Sequence, residues 1–102
     1  MSAEARDPLE VDPQHYTVEF ENERVRVIRI RYAPGEKSVM HWHPASVSVF
    51  LTDVYGRFTY PDGKTEEARG QAGQVFWDEP GAHLPENLGD KPFEVLQIEL
   101  KG

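Results

Sequence analysis

Short runs of alternating apolar and polar residues follow one another along this chain, and each run predicts a β-strand. Turns rich in proline and glycine separate the runs, as in Pro61-Asp62-Gly63-Lys64. The expected strands are 16–20, 24–32, 38–43, 46–52, 56–60, 65–68, 75–78, 83–88 and 93–100. Short strands at this regular spacing indicate an all-β barrel or sandwich.

Two local signals refine this pattern. In RVRVIRIRY (24–32), the neighbours Val27 and Ile28 break the alternation once, as a β-bulge would. Between 56–60 and 65–68, the pair Asp62-Gly63 predicts a tight hairpin, since both residue types tolerate positive φ.

Composition narrows the class of protein. The 102 residues suit one domain, and the chain has no cysteine for disulfides or thiolate metal sites. A net charge of −7 argues against nucleic acid and anionic membranes as partners. No apolar run reaches the length of a membrane span, and the acidic N-terminus is unlike a secretory signal. We expect a cytoplasmic protein with an extended N-terminal segment (1–15) and a barrel domain (16–102).

Charge is unevenly distributed. Residues 1–23 contain seven acidic residues and a single base, Arg6, whereas 24–43 contain five bases and one acid. The arginines that alternate with Val and Ile in 24–32 indicate the solvent face of a strand. The acidic start of the chain could pair with that face, in the same subunit or in a partner.

Three of the four histidines are candidates for metal binding. His41 and His43 are two residues apart in an expected strand, so their imidazoles point to the same side. His83 begins a later strand, and three imidazoles that converge from two strands suit Zn, Fe, Ni, Cu or Mn. We expect His15, in the polar N-terminal segment, to lie at the surface.

The surroundings of these histidines resemble the two motifs of the cupin superfamily. Gly35 precedes His41-Trp42-His43 by the spacing of the first motif, and Gly73, Pro80-Gly81, His83 and Asn87 follow the second. The resemblance covers about residues 16–100. It implies a single-domain double-stranded β-helix, or jelly-roll, barrel.

One departure from the family pattern concerns the metal site. The first motif usually carries a glutamate ligand after three or four further residues, whereas this chain has Ser48 there and no carboxylate between His43 and Asp53. The resemblance therefore implies a three-histidine site, as in cysteine dioxygenase and the acetylacetone-cleaving dioxygenase. We expect one divalent metal ion per chain. Fe(II) is the expected metal, and Ni, Mn, Zn or Cu are the alternatives.

The alternation of side chains along each strand indicates which residues surround the expected metal site. Ser48 and Phe50 should face the cavity, with Val47 and Val49 outward or in a subunit contact. By analogy with the family, Phe58, Tyr60 and either Leu96 or Ile98 complete the wall. Asn87 could lie near the metal or cap the end of its strand. The expected substrate-binding residues are Ser48, Phe50, Phe58 and Asn87.

Three functions remain open at this point. A divalent ion on three neutral imidazoles keeps its full charge and should favour a small anion. The missing glutamate favours a mononuclear non-haem dioxygenase that acts on a small chelating anion, a β-diketone or a thiol acid. The alternatives are a metal-dependent lyase or isomerase of a small carboxylate or sugar acid, and a non-catalytic cupin that binds a small ligand.

A barrel of this size has open sheet edges, which invite pairing with another chain. We therefore expect a homodimer, in which Leu9–Phe20 could add a strand to the neighbour. The same segment could instead cover an edge of its own barrel.

Overall fold

A computed structural model describes residues 6–102 of the chain. In this part, one helical turn precedes nine β-strands. The elements are α1 (Pro8–Val11), β1 (Tyr16–Glu21), β2 (Val25–Tyr32), β3 (His41–His43), β4 (Ser46–Phe50), β5 (Val54–Thr59), β6 (Thr65–Gly70), β7 (Val75–Asp78), β8 (Gly81–Asn87) and β9 (Phe93–Leu100).

The strands form two antiparallel sheets that face each other. The five-stranded sheet has the order β1-β2-β9-β4-β7, and the four-stranded sheet has the order β3-β8-β5-β6. Because strands far apart in sequence are neighbours in space, the chain winds as a jelly roll, and the all-β prediction is confirmed.

The core lies between the sheets, on the inner face of β2 and its neighbours. Strand β2 pairs with β9 without interruption, from Val25 opposite Leu100 to Tyr32 opposite Phe93. The buried hydrophobic cluster comprises Tyr16, Ile28, Ile30, Tyr32, Phe93 and Val95. This face of β2 is therefore the one turned inward.

The break in alternation at Val27 and Ile28 corresponds to a bulge, but on the neighbouring strand. The register shifts on β1 between Val18, opposite Ile28, and Phe20, opposite Val27. The extra residue is thus on β1, whereas β2 continues its regular pairing with β9. The prediction of a bulge within β2 itself was wrong. When the alternation is irregular in one strand, the extra residue can be in the strand that pairs with it, as it is here in β1.

The predicted hairpin joins β5 to β6. Gly63 has φ +86°, and the Tyr60 amide donates to the Lys64 carbonyl over 2.8 Å. The Asp-Gly signal at this turn is confirmed.

The N-terminal segment packs along one side of the barrel. Residues 1–5 of the expected extended segment lie outside the described residues, and Pro8–Val11 form a helical turn with Asp7 as N-cap. The Arg6 carbonyl accepts a hydrogen bond from the Trp42 amide over 2.9 Å, which ties the segment to β3. Within residues 6–102, no helix combines the length and hydropathy needed to span a bilayer.

Candidate metal centre

Three histidines converge on one point inside the barrel. His41 and His43 are both buried on β3, and the pairing of β3 with β8 sets His41 opposite His83. Their potential ligand atoms lie within 4.8 Å of one another. The spacing of two residues on one strand and the pairing of two strands are together what position the triad.

The Nε2 atoms of all three rings are buried and have no hydrogen-bond partner. Burial, and then the neighbouring His43, lowers the pKa of His41 to about 4. Burial also holds the pKa of His83 well below its ordinary value, with further contributions from His43 and His41. Three buried Nε2 atoms without hydrogen-bond partners, close together in space, fit a divalent metal ion.

The opposite nitrogen of His43 is held by a buried carboxylate. His43 Nδ1 donates to Glu99 Oε2 over 2.7 Å, and Glu99 is only 2% exposed. Because the carboxylate accepts this proton, Nε2 is the nitrogen left without one. Arg26 balances Glu99 at 2.7 Å and also binds Asp7 at 2.8 Å.

Arg26 corrects the expectation that the arginines of this strand lie on the solvent face. Its guanidinium is largely buried beside Glu99, because Arg26 lies on the inward side of β2. Arg29 and Arg31 do lie on the outer side, where both bind Glu94. The pairing of Arg26 with Asp7 is the expected contact between the acidic start of the chain and this basic strand, made within one subunit.

His41 is held in the same way by a longer chain of hydrogen bonds. Its Nδ1 donates to the Val39 carbonyl over 2.8 Å and lies 3.2 Å from Ser38 Oγ. Ser38 in turn donates to Asp12 over 2.6 Å. The carbonyl can only accept, so His41 also presents an unprotonated Nε2 to the centre.

Asp12 connects this chain to His15, which the sequence analysis wrongly placed at the surface. His15 is 5% exposed and stacks on Tyr32 with ring centroids 4.2 Å apart. Its Nδ1 lies 2.7 Å from Asp12 and its Nε2 3.2 Å from Glu36. Burial of a polar ring in the N-terminal segment is possible here because both nitrogens find carboxylate partners.

A cavity of about 800 Å³ opens from the histidines between the two sheets. Three of the four residues expected to contact substrate line it: Ser48, Phe50 and Phe58. Phe58 stacks on His83 with centroids 4.9 Å apart, and Phe50 packs against Phe76 at the same distance. These rings make part of the cavity wall apolar, and Phe58 does so directly beside His83.

Ser48 donates a hydrogen bond to the carboxylate of Asp78, which also lines the cavity. Asp78 lies on β7, next to the strand that carries Ser48. Among residues 6–102, the group that could ligate a metal contains the three histidines and no carboxylate. Asp78 is therefore a cavity residue outside this ligand group.

Asn87 does not reach the cavity. It is 1% exposed, and its amide donates to the Tyr32 and Lys91 carbonyls and accepts from the Gly89 amide over 2.8 Å. These hydrogen bonds hold the turn that follows β8. The structure therefore does not support a contact of Asn87 with substrate, and it agrees with the alternative that Asn87 caps the end of its strand.

Strand β9 turns the opposite face inward from the one that was expected to contribute Leu96 or Ile98 to the cavity wall. Phe93, Val95 and Gln97 line the cavity, whereas Leu96 and Ile98 belong to the other face. Because both faces of FEVLQIEL contain apolar residues, alternation alone could not select one. Polar residues also occur in both phases, Glu94 in one and Gln97 and Glu99 in the other, so the sequence of this strand holds no signal that selects the inner face.

Comparisons with solved structures place this architecture among known folds. The chain is similar to a cupin domain from Bordetella pertussis Tohama I, with 29% identity, a TM-score of 0.79 and coverage of 85% of this chain and 92% of that one. It is similar to a predicted oxalate decarboxylase from Thermotoga maritima, with 26% identity, a TM-score of 0.56 and coverage of 78% and 68%.

A third similar structure is oxalate decarboxylase from Bacillus subtilis, described with Mn(II) centres. It shares 27% identity and a TM-score of 0.58 over 76% of this chain, but only 22% of that longer chain is covered. No family model and no curated protein sequence matches the chain. The two-sheet jelly roll and these structural matches together show that the chain has the fold of the cupin domains to which it is similar, with a histidine triad on the inner side of the barrel.

Proposed function

We propose that this chain is a mononuclear metalloenzyme that transforms a small chelating anion in the barrel cavity. The observation that carries the proposal is the set of three buried Nε2 atoms without partners, two of them oriented by acceptors behind the ring. A divalent ion bound there would act as a Lewis acid and attract an anionic ligand.

The chain's own residues would bind the rest of the substrate. Phe50, Phe58 and Phe76 form an apolar part of the cavity wall, and a cavity of about 800 Å³ suits a small molecule. Ser48 Oγ and the Asp78 carboxylate form a hydrogen-bonded polar pair in the same cavity. We assign to Asp78, the cavity carboxylate that accepts a hydrogen bond from Ser48, the role of accepting a proton from a bound ligand.

The first candidate reaction is oxygen-dependent cleavage of a β-diketone or a thiol acid, with Fe(II) as the metal. It is supported by a ligand group that contains histidines alone. A metal ion with only three protein ligands leaves further coordination positions for a chelating substrate and oxygen.

The second candidate is redox-neutral cleavage of a small carboxylate, a lyase reaction with no net consumption of oxygen. It is supported by the similarity to the predicted oxalate decarboxylase of Thermotoga maritima and to the Mn(II)-containing enzyme of Bacillus subtilis. Oxalate is itself a small chelating anion.

Metal analysis of protein purified without a histidine tag tests the shared part of both candidates. We expect about one divalent ion per chain in the wild type and its loss in His41→Ala, with the fold of the variant checked by circular dichroism. Protein that binds no divalent ion under any loading condition would exclude the metalloenzyme proposal.

Substrate panels then separate the reactions. Oxygen consumption by the Fe(II)-loaded protein with β-diketones or thiol acids supports the first candidate. Release of carbon dioxide and formate from oxalate by the Mn(II)-loaded protein, without net consumption of oxygen, supports the second. A metal-loaded protein that binds these anions without turnover in either assay would instead be a ligand-binding cupin.

The proposed role of Asp78 has its own test. Asp78→Asn should lower kcat by about 10²-fold or more, the usual range for loss of a positioned proton acceptor, while the metal dissociation constant stays unchanged. Asp53→Asn, on an exposed turn, is the matched control. An Asp78→Asn enzyme with wild-type kcat would remove Asp78 from the mechanism.

A further inference from the structure

Two carboxylates on the inner side of the barrel have no cationic partner. Glu66 of β6 is paired directly with Phe58 of β5, and directly paired residues point to the same side of a sheet. Because Phe58 stacks on His83, this is the side that faces the cavity. Asp78 of β7 lines the same cavity and accepts a hydrogen bond from Ser48. Within the described part of the chain, no lysine, arginine or histidine forms an ion pair with either carboxylate.

The arginines near the open end of the cavity are directed elsewhere. Arg57 lies 3.9 Å from Glu67 and 3.7 Å from Glu86, at positions of β5, β6 and β8 that alternate with the inward ones. Arg69 is on the same side of β6 as Glu67, and its guanidinium lies over the ring of Tyr55, 3.7 Å from the centroid. The charge of the two inner carboxylates is therefore left uncompensated.

Tyr60 lies where both carboxylates act. Its hydroxyl donates to Glu66 Oε1 over 3.1 Å, which leaves Glu66 Oε2 without a hydrogen bond in the described part of the chain. Burial raises the pKa of Tyr60, and the hydrogen bond to Glu66 and the charges of Glu66 and Asp78 raise it further. Since Tyr60 also lines the cavity, this end of the cavity combines negative potential with an aromatic ring.

The other end of the cavity has the opposite charge when a metal ion is bound. The Nε2 atoms of His41, His43 and His83 are buried there without partners, and a divalent ion on three neutral imidazoles keeps its full charge. The sheet order β3-β8-β5-β6 puts these histidines on the first two strands and Glu66 on the last. Two strand spacings, about 10 Å, separate β8 from β6.

We infer that the cavity takes a small zwitterion, whose anionic group binds the metal ion and whose ammonium group binds Glu66. This inference rests on the proposed function, which supplies the metal ion, and it names the substrate class of that site. An ammonium group is stabilised by carboxylates and by aromatic rings, and Phe58, Tyr60 and Phe76 line the same cavity. A second negative group on the substrate would be repelled at this end. Glu66 is thus a specificity-determining residue.

Calorimetric titration of the Zn(II)-loaded full chain with ω-amino carboxylates of four to six carbons tests the inference. The unsubstituted carboxylates of equal length are the matched ligands, and redox-silent zinc allows binding to be measured without turnover. At one chain length we expect the amino carboxylate to bind at least about 10-fold more tightly than its matched ligand, the usual effect of a hydrogen bond to a charged group. The dicarboxylate of that length should bind more weakly than the amino carboxylate.

Glu66→Gln should remove this preference and leave the affinity for the unsubstituted carboxylate unchanged. Glu67→Gln is the matched control and should keep the preference, since Glu67 is the next residue of β6, points outward and accepts a hydrogen bond from Tyr55 over 3.0 Å. Both glutamates are exposed, so circular dichroism should show both variants to be folded.

The other outcomes overturn the inference in distinguishable ways. A zinc-bound wild type with no preference for the ammonium group at any chain length overturns this inference alone, and the proposed metal site stands. A preference that survives in Glu66→Gln, or that is lost equally in Glu67→Gln, removes the assigned role of Glu66. A chain that binds no divalent ion overturns the proposed function, and this inference with it.

Discussion

Glu99 joins the metal ligands to the N-terminal segment of the chain. It accepts from His43 Nδ1 over 2.7 Å and binds Arg26, which in turn binds Asp7. A buried charge is costly unless it is paired, and here both charges of the pair are satisfied. The carboxylate sets the orientation of the imidazole and increases its basicity as a ligand.

Replacement of Glu99 by glutamine should weaken metal binding. Glu99→Gln keeps an acceptor for His43 but loses the charge, so we expect the metal dissociation constant to rise about 10- to 100-fold. Competition with a chromophoric chelator measures this constant.

Glu94→Gln is the matched control for that measurement. Glu94 is on the same strand but faces outward, where it binds Arg29 and Arg31. Its substitution should leave metal affinity within about twofold of the wild type. Equal constants for Glu99→Gln and the wild type would show that the carboxylate has no influence on the site.

At the scale of single elements, the β5–β6 hairpin depends on one backbone conformation. Gly63 has φ +86°, a region that residues with a Cβ rarely adopt, although a Cβ there would meet no atom within 4 Å. The penalty for a side chain at this position is therefore conformational and involves no clash.

Gly63→Ala should lower the free energy of unfolding by about 1 kcal/mol, as measured by urea denaturation. Gly81→Ala serves as the control, since Gly81 also has open space around it but no positive φ. The explanation fails if the two substitutions have the same effect.

The α1 turn is attached to the barrel through Asp7. Burial tends to raise the pKa of this carboxyl, but hydrogen bonds from Arg26 and the Leu9 amide, with the charge of Arg26, bring it below its ordinary value of 3.8. A lowered pKa in the folded state means that the charged carboxylate stabilises the fold above pH 3.8. This stabilisation is lost as the pH falls through the folded-state pKa.

Asp7→Asn should therefore destabilise the protein at pH 7, and its difference from the wild type should shrink as the pH falls below 3.8. Chemical denaturation at pH 7 and near pH 3 measures the two differences. Glu10→Gln, exposed on the same turn, should show neither effect. A difference independent of pH would mean that the charge of Asp7 does not contribute to stability, since asparagine keeps the oxygen that caps the turn.

For the whole molecule, the metal should contribute to stability as well as chemistry. The three unpaired Nε2 atoms are buried in the folded barrel and are not held together in the unfolded chain. A ligand that binds only the folded state stabilises it by about 2.7 kcal/mol at 100 times its dissociation constant.

Saturating divalent metal should accordingly raise the melting temperature by roughly 10–20 °C, given about 4–8 °C per kcal/mol for a domain of this size. Differential scanning calorimetry with and without the ion measures the shift, and His41→Ala should abolish most of it. If added metal leaves the melting temperature of the wild type unchanged, the folded barrel has no site for the ion.

Local signals were sufficient for much of the fold. Alternation and turn residues located all nine strands, with ends displaced by a few residues, because strand period and turn chemistry act between near neighbours. The same period directs His41 and His43 to one side of β3. The hairpin at Asp62-Gly63 could be predicted because its turn, too, depends only on neighbouring residues.

The choice of inner and outer faces was decided only by the tertiary structure. β9 carries apolar residues on both sides, so nothing local turns Gln97 and Glu99 inward or Ile98 outward. The burial of His15 and Arg26 depends on carboxylates from distant segments, Glu36 and Glu99, which the chain brings together only when it folds. By itself, the sequence determined where the strands are and which way the paired histidines point, whereas closure of the two sheets decided which polar groups are buried, because burial depends on partners that are remote along the chain.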